Sequence, residues 1–181
     1  MDSIIHLIPR RFEDHRGFFA ETYSRKTYAE QGIDKDFIQD NHSLSRQVGT
    51  LRGLHFQAPP RAQAKLVRCG RGAIFDVAVD IRKGSPSYGK WQGYKLSAKN
   101  GHQMYIPIGF AHGFVTLEPD SEIVYKCSDY YAPETEGSLA WYDLDIGINW
   151  PLEGEPTISE RDQLSPLLNE FESPFSYGAN S

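Results

Sequence analysis

Two histidines stand inside apolar, small-residue segments of this chain: His55 within Leu51-Arg52-Gly53-Leu54-His55-Phe56-Gln57, and His112 within Ile106-Pro107-Ile108-Gly109-Phe110-Ala111-His112-Gly113-Phe114. An imidazole titrates near neutrality and can take up or return a proton. Burying one costs free energy unless it is paired or used. Arg52 adds a cation to the first segment. The repeated pattern predicts that both histidines line one pocket.

A metal centre is a poor account of that pocket. His55-Phe56-Gln57 supplies a single nitrogen ligand, and after His55 no Glu appears until Glu118. Two histidines without a third nitrogen or a carboxylate at usable spacing make a weak site. No metal is expected.

The elements that must position these residues read as strands. Aromatic residues are frequent, and sixteen Gly with eleven Pro interrupt the chain too often for many helices. Strands are expected over Ile4-Ile8, Phe18-Tyr23, Asn41-Arg46, Leu51-Gln57, Lys65-Arg71, Ala73-Arg82, Trp91-Ser97, Gln103-Ile106, Gly113-Leu117 and Ser121-Asp129. Two short helices follow from caps. Ser24 and Gly32 bracket Arg25-Gln31, and Ser159 with Asp162 resembles a capping box. Alternation puts Lys65, Val67 and Cys69 on one face, as it does Ile123, Tyr125 and Cys127. It also sets Asp76, Ala78, Asp80 and Arg82 opposite Phe75, Val77, Val79 and Ile81. A regular strand would send Arg52 and His55 to opposite faces; a bulge at Gly53 would turn both inward.

Length and charge set the remaining bounds. The 181 residues fit one domain, expected over residues 1–172 with a polar, frayed tail at 173–181. A net charge of -5 disfavours nucleic acid or an anionic membrane as the main partner. The sequence shows no run of eighteen apolar residues and no signal peptide, which points to the cytoplasm. Cys69 and Cys127 lie singly in apolar segments and read as reduced core residues.

Pro107-x-Gly109-x-x-His112 resembles the second motif of cupins, which implies an all-β, cupin-like jelly-roll β-sandwich or barrel with a few short helices. The chain more closely resembles the dTDP-4-dehydrorhamnose 3,5-epimerases. The likeness runs from about Ser3 to Leu168, through Asp14-x-Arg16-Gly17-Phe18-Phe19-x-Glu21, Gln39-Asp40-Asn41-x-Ser43, Leu51-Gln57, Lys65-Leu66-Val67, Phe75-Arg82, Gly109-Phe114, Tyr125-Lys126 and Ser159-x-x-Asp162. It implies a dTDP-4-keto-6-deoxy sugar substrate, inverted at the two carbons that flank its ketone, with no organic cofactor. Inversion at such a carbon needs a base on one face, a stabilised enolate and an acid on the other face.

By resemblance, His55 is the base, Asp162 the carboxylate on its far ring nitrogen, Lys65 the cation near the ketone oxygen and Tyr125 the acid. Each also has an ordinary reading: a satisfied core histidine, a capping-box acid, a snorkelling lysine, a packed aromatic. His112 is assigned to substrate binding, although its place between Phe110 and Phe114 suits packing too. Arg52 and Arg16 match diphosphate-binding cations, and Glu21, Gln39, Asp40 and Asn41 match segments that hold nucleotide and sugar. Glu136 and Arg161 match further positions near the substrate, with Arg161 replacing a common Lys. The resemblance also implies a homodimer whose N-terminal region packs on its partner, so that some of these residues serve the neighbour's site. Two rivals remain: an enzyme that inverts one carbon of a related nucleotide sugar, and a non-catalytic sugar-binding module. Retention of His55, Lys65, Tyr125 and Asp162 together argues against the second.

Overall fold

Alternation along Ala73–Asp80 divides one strand between two cores. In the computed structural model, which describes residues 3–178, Ile74 and Ala78 enter the layer between two sheets. Val77 and Val79 instead pack beneath a C-terminal cover that includes Leu139, Ile146 and Phe175.

Each sheet has five antiparallel strands. The first is ordered β1 (Ile5–Leu7), β9 (Gln103–Ile106), β6 (Lys65–Arg71), β11 (Ser121–Cys127) and β4 (Gln39–Ser45). The second runs β12 (Glu136–Ser138), β5 (Leu51–Gln57), β10 (Phe110–Thr116), β7 (Ala73–Asp80) and β8 (Trp91–Ser97). Val67, Cys69, Leu96, Met104, Phe114 and Ile123 fill the space between them. A separate hairpin joins β2 (Arg11–Asp14) to β3 (Gly17–Ala20). This is the expected all-β jelly-roll sandwich. Cys69 and Cys127 are free and buried in it.

Both short helices start at serine caps. Helix α1 (Arg25–Ala29) starts where Ser24 Oγ accepts a hydrogen bond from Thr27 N, and it buries Tyr28 against Leu7, Leu66 and Tyr105. It ends two residues before the expected Gln31. Helix α2 (Glu160–Gln163) is likewise capped by Ser159.

Several expectations need correction. The β2 and β12 strands carry no apolar alternation and were not expected; pairing with β3 and β5 makes them strands. The β10 strand begins at Phe110 rather than Gly113, because Phe110 through Thr116 pair continuously with Asp80 through Ile74. Ala73-Arg82 stops as a strand at Asp80, whose carboxylate turns back onto Arg82, Ser85 and Ser87. The boundary at residue 172 also falls short. Ser173 and Phe175 are buried, Phe175 edge-on to Phe56, and Lys83 bridges to Ser176. An aromatic side chain with an apolar seat holds a segment that polar composition would leave loose. The rest of the expected tail, residues 179–181, lies outside the described residues.

Candidate active site

Residues of both sheets, with the segment 157–162, line a cleft of about 570 Å³. The second sheet contributes Arg52, His55, His112 and Phe114, and the first contributes Ser43, Lys65 and Tyr125. Cations and proton-transfer groups therefore face one another across it.

Gly53 makes the first wall possible. On β10, His112 pairs with His55 and Phe114 with Arg52, so β5 holds one extra residue. This is the bulge expected from sequence, and it brings both Arg52 and His55 to the cleft. Gly53 has φ of +127°, and a Cβ there would lie 2.5 Å from Gly113 Cα. Only glycine meets both demands.

A strap brings the third wall. Leu51 N donates to Thr157 O at 2.9 Å, and Thr157 N donates to Gly49 O at 3.0 Å. The chain then enters α2, where Ser159 Oγ caps Asp162 N at 3.2 Å. The Asp162 carboxylate does not close a capping box. It accepts from His55 Nε2 at 2.7 Å and from Gly53 N at 3.4 Å. Nε2–H is thereby fixed as a donor, and the lone pair stands on Nδ1. Burial disfavours the Asp162 anion, yet the hydrogen bond and charge of His55, with donors from Gly53 and Ser159, outweigh it and hold the carboxyl below its ordinary value.

His112 forms a second imidazole–carboxylate pair, with Nε2 donating to Asp76 Oδ1 at 2.8 Å. Both residues are buried. Burial lowers the His112 pKa against the pull of Asp76, and the nearby Lys65 and His55 lower it further. Asp76 was missed as a site residue, although an acid at alternate positions of an apolar strand was a readable signal. Lys65 lies opposite Cys127 in the strand register. Burial pushes its ammonium below the usual lysine value, while Cys127, Asp76 and Glu136 act the other way. Burial raises the Tyr125 phenol, opposed by a hydrogen bond with Asn41, its cross-strand partner. A raised phenol keeps its proton at neutral pH.

The other expected binding residues divide. Arg161 lines the cleft and donates to Glu136 Oε2 at 2.7 Å, and Tyr131 Oη donates to the same oxygen at 3.0 Å. Tyr131 was not anticipated. Gln39 Nε2 donates to Asn41 Oδ1 at 3.1 Å, placing both on the face of Tyr125. Asp40, one residue out of phase, points away and pairs with Lys126 at 2.8 Å. Arg16 sits on the β2–β3 hairpin, bonded to Asp14 with its side chain 79% exposed. Glu21 accepts from Thr27 Oγ1 and lines a different groove. Asp40, Arg16 and Glu21 thus do not enter this chain's own cleft. Among the described residues, no three His, Cys, Asp or Glu side chains cluster as metal ligands.

Residues 1–170 match the family model described as dTDP-4-dehydrorhamnose 3,5-epimerase. The chain belongs to this family. The dTDP-4-dehydrorhamnose 3,5-epimerase of Sinorhizobium fredii is 52% identical over 169 residues, covering 93% of this chain and 87% of the relative. Among solved structures, the dTDP-6-deoxy-D-glucose-3,5-epimerase of Legionella pneumophila, in complex with dTDP-4-keto-L-rhamnose, has a TM-score of 0.93. It is 44% identical, over 99% of this chain and 96% of that one. A 3'-monoepimerase from Streptomyces bikiniensis, in complex with dTDP-quinovose, reaches a TM-score of 0.85 at 37% identity over 92% of this chain and 84% of its own. The family fold therefore accommodates enzymes named for one inversion as well as for two.

Proposed function

We propose that the chain epimerises dTDP-4-dehydro-6-deoxy-D-glucose at carbons 3 and 5, giving dTDP-4-dehydro-L-rhamnose. The observation that carries this reading is a proton acceptor and a proton donor on facing sheets. His55 on β5 is oriented by Asp162, and Tyr125 stands on β11 across the cleft.

At each carbon the C–H bond breaks, its proton passes to His55 Nδ1, and its electron pair moves into the ketone to form an enolate. Asp162 stabilises the imidazolium that results. Lys65 lies where a cation can meet the enolate oxygen. A proton returns from the opposite side, from the Tyr125 hydroxyl at carbon 5 and from Tyr125 or water at carbon 3; solvent then restores the phenol and takes the proton held on His55 Nδ1, which resets both groups before the next inversion. Nothing is oxidised or reduced, so side chains suffice. Arg52 and Arg161 supply fork-shaped donors at the rim for diphosphate oxygens.

The same reading includes a cytoplasmic homodimer. Free Cys69 and Cys127 fit a reducing compartment. Ile8, Phe12, Phe18 and Phe19 are all more than half exposed beside Arg16, an apolar patch suited to a second copy. On that view Arg16 and Glu21 reach the partner's cleft. The function is tested by proton NMR of the dTDP-4-keto sugar with the protein and a metal chelator in deuterated water. Deuterium at carbons 3 and 5 with inverted configuration at both is expected; exchange at one carbon only would indicate a single-carbon epimerase.

A further inference from the structure

The β2–β3 hairpin forms a sheet of its own, and β1 meets the first sheet through only three residues of β9. This N-terminal arm carries Arg16 and Glu21, neither of which lines the cleft of its own chain. Two polar anchors tie the arm down, and both land on the turn between β8 and β9. Arg11 on β2 donates from Nη1 to Lys99 O at 2.7 Å and from Nη2 to Ala98 O at 2.6 Å, its guanidinium lying over the Phe18 ring. His6 on β1 bonds His102 through Nε2 and Nδ1 at 3.0 Å, and the His6 ring stacks on Tyr94 at 4.2 Å between centroids. The turn itself is braced: Asn100 accepts from Ser97 N and His102 N and donates to Lys95 O.

Only one of the anchors titrates near neutrality. In an imidazole pair one ring donates and the other accepts, so the bond holds while the pair is neutral or carries one extra proton and fails when both rings are charged. The arginine anchor stays charged throughout. Around the pair stand Tyr94 and Lys95 on β8, Lys99 on the turn and Arg11 on β2, while β9 opposes His6 with Met104. None of these is a carboxylate that would steady a second charge. Burial and the charge of His102 both lower the His6 pKa.

We propose that His6 and His102 are positioning residues, a pH-sensitive clamp that fixes the N-terminal arm on the β8–β9 turn and so sets where Arg16 and Glu21 are presented to a second copy's cleft. The effect at the cleft rests on the homodimeric epimerase reading; the clamp itself rests on the contacts of the arm. Released from the turn, His6 regains its ordinary value near 6.5 and takes up a proton that the docked pair resists. Docking is therefore full above about pH 6.5 and weakens below it, by up to about tenfold per pH unit.

Hydrogen–deuterium exchange of wild type, His6→Gln and His6→Ala at about pH 7.5 and about pH 5.5, corrected for intrinsic rates, tests the clamp. Gln can donate or accept where the imidazole Nε2 stood, and it never takes up a proton. Wild-type protection of residues 5–20 should fall about tenfold between the two conditions while β7 and β10 stay protected. His6→Gln should keep its protection, and His6→Ala should lack it at both. At the lower pH the wild-type KM for the 4-keto sugar should stand several-fold above that of His6→Gln with similar kcat, because His55 is common to both and only substrate holding differs. Unchanged wild-type protection, or an equal loss in His6→Gln, overturns the proposal, as does a shared KM in an active dimer. A monomeric or inactive wild type would defeat the reading of the cleft while the exchange data still decide the clamp.

Discussion

Replacing Asp162 by Asn separates the orienting role of the carboxylate from its space-filling role. The two side chains have the same shape, and the buried position, 3% exposed, leaves little room for rearrangement. Two losses follow. An amide NH₂ facing His55 Nε2 forces the ring proton onto Nδ1, the nitrogen that must accept the substrate's proton. The imidazolium formed during abstraction also loses a counter-charge hydrogen-bonded at 2.7 Å. Unit charges centred about 4 Å apart at an effective dielectric constant near 20 attract by roughly 4 kcal/mol, or about three powers of ten in rate. The equivalent change in a Ser-His-Asp triad costs about 10⁴. Turnover should therefore fall roughly 10³- to 10⁴-fold, with dTDP affinity close to wild type and the urea midpoint lowered, because the ionised carboxyl that the fold favours is lost. Solvent exchange and product configuration followed by NMR supply the assay. A variant that keeps more than a tenth of wild-type turnover would show that His55 needs no carboxylate, and Asp162 would return to its role as a helix-start acid.

Tyr125→Phe keeps the packed ring and removes one proton; it should still exchange hydrogen for deuterium through His55 but fail to invert carbon 5, and a doubly inverted product at wild-type rate would refute the assignment. If the proposed homodimer packs through the exposed apolar hairpin, wild type should scatter light as a dimer and Phe12→Glu with Phe19→Glu as a monomer of lower activity; a monomeric wild type with full activity would refute the dimer, and a double variant that remains dimeric would refute this interface. Asp80 is held at about 2, where hydrogen bonds from Arg82, Ser85 and Ser87 overcome a burial effect of opposite sign. Its depressed pKa contributes stability that is full above the unfolded value near 3.8 and lost as pH falls through about 2. Asp80→Asn should cost at least about 2 kcal/mol at pH 7 in urea unfolding, the gap to wild type narrowing below pH 4; a constant gap would contradict the linkage.

How far the sequence could be read depended on where each residue's free energy comes from. The β5, β6, β8 and β9 strands match their expected limits because apolar residues and flanking turn residues mark them locally. The β2 strand is charged and mostly exposed, and β12 is three residues long; both exist through partners that the local pattern does not specify. The same distinction runs through the cleft. Gly53 signalled a bulge because a glycine inside an apolar strand has few other uses, and that bulge carries Arg52 and His55 together. Asp40 was grouped with Gln39 and Asn41 as one motif, yet alternation alone argues against a shared role: residues 39 and 41 share a face that residue 40 cannot join. Asp162 shows the limit most clearly. Ser159 fixes the start of α2 from sequence, but the Asp162 carboxylate could satisfy either the helix end or a distant base. The choice is made by Thr157, whose backbone pairs with Gly49 and Leu51 and thereby lays α2 across the bulge next to His55. A contact more than a hundred residues apart in sequence is decided by backbone pairing of the strap, and neither helix propensity nor capping preference encodes it.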